Sequence, residues 1–197
     1  MNYFLRNKTD RGAIMAGKIV FLLADGFEEI EAITPIDVLR RLEFNVVVAG
    51  LRKNVQGSHG IKIEADCLVT DINESELDAV VLPGGMPGAT YLRDCPHVIE
   101  LVIRMNSRKA VVAAICAAPI ALKKAGVIEG KTVTSHPSVK TELAGAIHTG
   151  RLTEVDGNII TGKGPGAAYE FAVRIATALG KGAKAEELLN MMFVQRR

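Results

Sequence analysis

Four short, almost wholly apolar runs most constrain this chain: KIVFLLA from Lys18, NVVVAG from Asn45, DAVVL from Asp78 and KAVVAAI from Lys109. A strand with one wet face alternates apolar and polar residues, whereas runs like these have both faces covered. Stretches with helical spacing intervene. They run from Ile30 to Leu42, from Pro96 to Arg108 with Val98, Leu101, Val102 and Met105 on one stripe, and from Ala117 to Lys124, stopped by Gly126. Buried strands that alternate with helices imply an α/β fold with a mostly parallel sheet between two helical layers.

Further along, Lys131 to Ser135, Leu152 to Val155 and Asn158 to Thr161 read as strands, with Asp156-Gly157 as a hairpin turn. Gly60 to Asp71 reads as a small β-hairpin or edge excursion. A helix from Gly166 to Leu179 and an extra C-terminal helix from Ala183 to Phe193 close the chain. The whole fits a doubly wound, flavodoxin-like sandwich formed as one domain over 18–197. Residues 1–17 are polar and irregular, lack the apolar core of a secretory signal, and are expected to be a disordered leader.

Composition removes several function classes. The chain has 197 residues, and its 24 basic against 22 acidic side chains give a net charge of +2 with no basic stripe, which argues against nucleic acid as a main partner. No run reaches the ~18 apolar residues of a spanning helix, so no membrane partner is expected. Cys67, Cys95 and Cys116 are odd in number and widely spaced, which disfavours a disulfide framework or zinc site and fits a reducing compartment, the cytoplasm.

In a doubly wound sheet, ligands bind beyond the carboxyl ends of the strands. Those ends carry Asp25-Gly26-Phe27-Glu28-Glu29-Ile30-Glu31, then Pro83-Gly84-Gly85, then Cys116-Ala117-Ala118-Pro119. A thiol at a strand-to-helix junction stands on an exposed elbow, where helix amides favour the thiolate. Gly84 and Gly85 allow close backbone approach, so that one of their N–H groups and that of Ala117 form an oxyanion hole. Glu31, three residues after Glu28, shares its helix face and is placed to hold or move a proton.

His136 ends the VTSHP segment near the same edge as a candidate second base or orienting group, and GKGPG from Gly162 opens the long helix as an anion loop or pocket wall. Each feature has a plainer reading. A cysteine among Ala, Val and Ile is a small hydrophobe, a helix-start glutamate complements the dipole, and a histidine before proline caps a turn.

ADGFEEIEAITPIDVLRR, VVLPGGMPGA, AAICAAP, VTSHP and GKGPGAAYEFA together resemble the ThiJ/PfpI superfamily, in particular its parkinsonism-associated deglycase branch. The resemblance implies a homodimer and a catalytic group of Cys116, Glu31 and His136. It also implies oxyanion amides at Gly85 and Ala117, a pocket-wall proline at Pro165, and no metal or organic cofactor. The expected substrate is a small reactive α-oxoaldehyde such as methylglyoxal or glyoxal, or a glycated adduct. The rival reading is a redox sensor or redox-regulated chaperone working through oxidation of Cys116. The protease-like branch places histidine after its cysteine, where Ala117 stands here, and the glutamine amidotransferases expect His-x-Glu where this chain has His136-Pro137-Ser138. His59 occupies the place of an arginine that lines an anion pocket in the deglycase branch.

Overall fold

The computed structural model describes residues 17–195, so the expected leader lies outside the described residues except for Gly17. The apolar runs form β1 (Lys18–Leu23), β2 (Asn45–Gly50), β6 (Ala79–Leu82) and β7 (Val111–Ile115), neighbours at the centre of a seven-stranded sheet ordered β10-β11-β7-β6-β1-β2-β5. Here β5 is Cys67–Leu68, β10 is Thr153–Asp156 and β11 is Ile159–Gly162. Every neighbouring pair is parallel except β10 with β11.

Period-two side-chain alternation splits the core into two layers. Ile19, Phe21 and Leu23 join the cluster under α1 (Glu29–Arg41), α5 (Ala168–Ala178) and α6 (Gly182–Met191). Val20, Leu22 and Ala24 join the cluster under α2 (Gly88–Asp94), α3 (Pro96–Ser107) and α4 (Pro119–Lys124). Burial on both faces is the reason these strands carry no polar alternation.

Several expected boundaries move. The hairpin is β3 (Asn54–Gln56) against β4 (Lys62–Glu64), earlier than Gly60 to Asp71, and Cys67–Leu68 pairs with β2. The Lys131 to Ser135 strand shrinks to β8 (Thr132–Val133), which pairs with β9 (Ile147–His148) in a sheet of its own. The turn between β10 and β11 is Gly157-Asn158, one residue later than read, because Asp156 still pairs with Ile159. Helix α2 was not anticipated, since the glycines and prolines before it read as loop. Residues Pro165–Ala167 form a 3₁₀ turn ahead of α5 in place of its first helical turn.

The sheet's order reverses between β1 and β6, and the carboxyl ends of β1, β6, β7 and β11 border that crevice.

Candidate active site

Cys116 follows β7 with φ 64°, in the left-handed region that costs a non-glycine residue ~1–2 kcal/mol. Its neighbours hold it there. The Cys116 N–H donates to the Gly162 carbonyl at the end of β11 (2.8 Å), and its carbonyl accepts from the His136 N–H (2.8 Å). This turn throws the thiol out of the sheet while the apolar flanks stay buried, which is the elbow read from the sequence.

Glu31 enters from the first turn of α1 and is fully buried. The Glu28 N–H donates to the Gly84 carbonyl (3.0 Å), which fixes the start of the helix against the β6 loop. In return the Gly84 N–H donates to Glu31 Oε2 (2.9 Å). Oε1 is buried without a hydrogen-bond partner. A Cβ on Gly84 would lie 2.6 Å from both Cys116 Cβ and Glu31 Oε2, so only glycine lets carboxyl and thiol share this space. Gly85 has φ 88°, and a Cβ there would run into the Glu28 nitrogen.

Burial pushes the Glu31 carboxyl from 4.5 up to about 7, and the charge of Glu28 adds to it, against hydrogen bonds from Cys116 and Gly84. Burial, the Glu31 charge and the Glu31 hydrogen bond push the Cys116 thiol up to about 12. The Gly85 and Ala117 N–H groups pull it down, as the sequence suggested, but they are outweighed. The expectation of a favoured thiolate is thereby corrected: in a site this dry, the amides do not offset desolvation plus a neighbouring carboxylate. Two of the three causes that raise the thiol belong to Glu31, so the groups titrate as a pair that resists carrying two negative charges.

The loop after β11 closes one side, with Gly164 near Glu31 Oε1 and Pro165 opening the 3₁₀ turn that follows. His136 is placed differently from its expected role. Its backbone reaches Cys116, while its exposed ring caps the turn Pro137–Leu143: Ser138 N–H donates to Nδ1 (3.2 Å) and Ser138 Oγ lies 2.7 Å from it. Among the described residues no hydrogen bond joins that ring to Cys116 or Glu31.

Glu29 was not singled out by the sequence, yet it is almost wholly buried. Its Oε1 accepts from the backbone N–H groups of His59 (2.7 Å) and Ile61 (3.4 Å), and its Oε2 meets Ser58 Oγ (3.2 Å) and His59 Nδ1 (2.9 Å). Burial opposes its ionisation, but the His59 ring and the backbone donors hold its carboxyl at about 2. Glu28, Glu29 and His59 bring three ligand-type atoms within 4.8 Å of one another, but both Glu29 oxygens are already engaged. The cluster pins the β3–β4 hairpin to the start of α1. Two acidic residues at a helix start gave the only sequence signal, and their partner lies 30 residues away.

Residues 17–178 match the model of the DJ-1/PfpI family. The chain is 39% identical over 184 residues to protein dj-1beta of Drosophila melanogaster, covering 91% of this chain and 98% of that one. The crystal structure of the Drosophila protein superposes with a TM-score of 0.88 at 38% identity, covering 92% of this chain and all of the other. The chain is 41% identical over 172 residues to the Parkinson disease protein 7 homolog of Danio rerio, covering 84% and 91%. It is 32% identical over 180 residues to the glutathione-independent glyoxalase DJR-1.2 of Caenorhabditis elegans, covering 90% and 96%.

Proposed function

This chain belongs to the DJ-1/PfpI family, and from that premise we propose that it is a cofactor-independent, cysteine-based glyoxalase or deglycase acting on α-oxoaldehydes or their early adducts. One observation carries the reading: a buried carboxyl titrating near neutrality beside a thiol on a strained elbow, with two backbone N–H groups aimed at the sulfur.

The chemistry follows from the shared proton. The pair carries a single negative charge throughout: the thiol holds its proton at rest, and transfer of that proton to the Glu31 carboxylate as the aldehyde is attacked gives a thiolate beside a neutral acid. The sulfur attacks the aldehyde carbon of methylglyoxal, and the Gly85 and Ala117 N–H groups hold the developing oxyanion until Glu31 protonates it to a hemithioacetal. Glu31, again a carboxylate, takes the proton from that carbon to give an enediol, in which the hydroxyl proton passes to the former ketone oxygen, and returns its own proton to the neighbouring carbon, which leaves a lactoyl thioester. Water hydrolyses the thioester to lactate and returns the thiol with its proton. His136 stays in the proposal as an orienting residue that acts through its backbone.

The deciding assay is lactate formation from methylglyoxal without glutathione. Cys116→Ser is expected to abolish it, and Glu31→Gln to lower kcat by on the order of 10²–10⁴. Full activity in Cys116→Ser overturns the mechanism.

A second reading is redox sensing through Cys116, favoured by the two N–H groups and the partnerless Glu31 Oε1, which suit an oxidised sulfur's oxygens. Cys116 oxidation by mild peroxide in a protein without turnover selects it.

The proposal includes a homodimer. Ile30 and Ile33, neighbours on α1, and Ile61 on the hairpin are exposed, and Glu29 ties those two elements together. An apolar face of this kind suits a second copy of the chain. Among the described residues no helix is long and apolar enough to cross a membrane, and the cytoplasm is the proposed compartment.

A further inference from the structure

Behind the Cys116 elbow lie two polar side chains that the proposed reaction does not use. Ser135 is fully buried, and its Oγ lies 3.0 Å from the His136 carbonyl oxygen and 3.0 Å from His148 Nε2. A hydroxyl has one proton to give. The carbonyl can only accept, so Ser135 satisfies it by donating, and the second contact is a hydrogen bond only when His148 brings its own hydrogen on Nε2. A bare Nε2 would compete with the carbonyl for the single proton: if the ring took it, the carbonyl would keep only the Val139 N–H (3.2 Å), and if the carbonyl took it, Nε2 would lose its partner, so one hydrogen bond of ~0.5–1.5 kcal/mol is lost either way.

His148 ends β9 opposite Val133 of β8, and the Thr149 N–H donates to the Val133 carbonyl (3.0 Å), so the ring's backbone is fixed to the strand that leads into Ser135. Burial and then the charge of Lys140 lower the pKa of His148, Lys163 adds to this, and the Ser135 backbone carbonyl works against them. The ring is therefore neutral near pH 7, and its two tautomers are distinct alternatives.

We propose that His148, held as the Nε2–H tautomer, and Ser135 are positioning residues that lock the elbow carrying Cys116. His148 Nε2–H donates to Ser135 Oγ, the Ser135 O–H donates to the His136 carbonyl, and the His136 N–H donates to the Cys116 carbonyl. The segment is anchored from its other end as well: the Thr134 N–H donates to Thr161 Oγ1 (2.9 Å), and Thr134 Oγ1 donates to the Arg151 carbonyl (2.7 Å). A residue at φ 64° persists only where its surroundings over-determine it, and this chain of donors supplies half of that restraint. Without it, Cys116 drifts from the Gly85 and Ala117 N–H groups that favour its thiolate.

Only the kinetic part of this inference rests on the proposed glyoxalase reading. The tautomer is read directly by a long-range ¹H–¹⁵N correlation spectrum of the wild-type protein at neutral pH, with the His148 signals identified by their loss in His148→Gln. Nε2–H is expected, and an Nδ1–H ring overturns the proposal. The second measurement is Cys116 alkylation by iodoacetamide, followed on the Cys116 peptide. His148→Phe is expected to slow it about tenfold and to lower kcat with KM unchanged, whereas His148→Gln, which keeps a side-chain N–H donor, restores the rate to within about twofold. Wild-type alkylation in His148→Phe, with a loss of Tm shared by both variants, overturns the positioning role. A wild-type protein that makes no lactate overturns the reaction instead, and leaves tautomer and alkylation readable.

Discussion

Glu31 and Cys116 face each other as two acids in one dry pocket, and their protonation follows from that geometry more than from either side chain's own chemistry. Glu31 titrates at about 7 when folded and near 4.5 when unfolded, so between those values the folded protein holds the extra proton. Stability from this group is fully present below pH 4.5 and is lost as pH rises towards 7. Glu31→Gln removes the cost of burying the charge and is expected to stabilise the protein at pH 8 by up to about 3 kcal/mol, with little gain at pH 4, as chemical denaturation at the two pH values will show. The same variant removes two causes that raise the thiol, so Cys116 should alkylate faster at pH 8 than in wild type. Slower alkylation would contradict the paired titration. Gly84→Ala places a methyl 2.6 Å from Cys116 Cβ, and is expected to abolish activity and cost about 1–3 kcal/mol of stability.

At the scale of elements, each part of the site hangs on the end of a buried strand or the start of a helix. Helix α1 brings Glu31 inward because Ala32, Pro35, Ile36 and Leu39 bury the face that meets the sheet and α5. Pro35 lies in the second turn, past the free N-terminal amides, so it has no N–H to give the Glu31 carbonyl and the helix forgoes that hydrogen bond while the ring packs on the buried face. Helix α6 packs Ala185 and Leu189 into the layer beneath α1 and α5. Leu189→Ala is expected to lower stability by about 2–5 kcal/mol while kcat per folded molecule stays near wild type, measured by denaturation and steady-state assay. Equal loss of kcat would tie that helix to the site. The apolar strands and the helices with three- and four-residue spacing were legible in the sequence because burial writes a period into the chain. The short β9 was not, and β8 was read too long, since two-residue strands leave no period to read, and α2 was hidden by the Gly and Pro content of PGGMPGA.

For the molecule as a whole, the open question is what covers the exposed isoleucines of α1 and the hairpin. Ile33→Glu is expected to turn a dimer into a monomer in sedimentation velocity, because a charge on an apolar interface is left unpaired. A wild-type monomer would remove the dimer from the proposal. The comparisons place the chain within the DJ-1/PfpI family over residues 17–178, and the sheet order puts the crevice where that fold binds ligands. From the sequence alone came the layer architecture, the elbow at Cys116 and the glycines beside it, because local pattern and steric demand are written residue by residue. Tertiary structure decided the rest: that Glu31 is fully buried and titrates near 7, that the Cys116 thiol is raised, that the His136 ring turns to Ser138, and that Glu29 and His148 find partners far along the chain. Desolvation and long-range hydrogen bonds exist only once the segments have met, and they set the charge of every acid in the site.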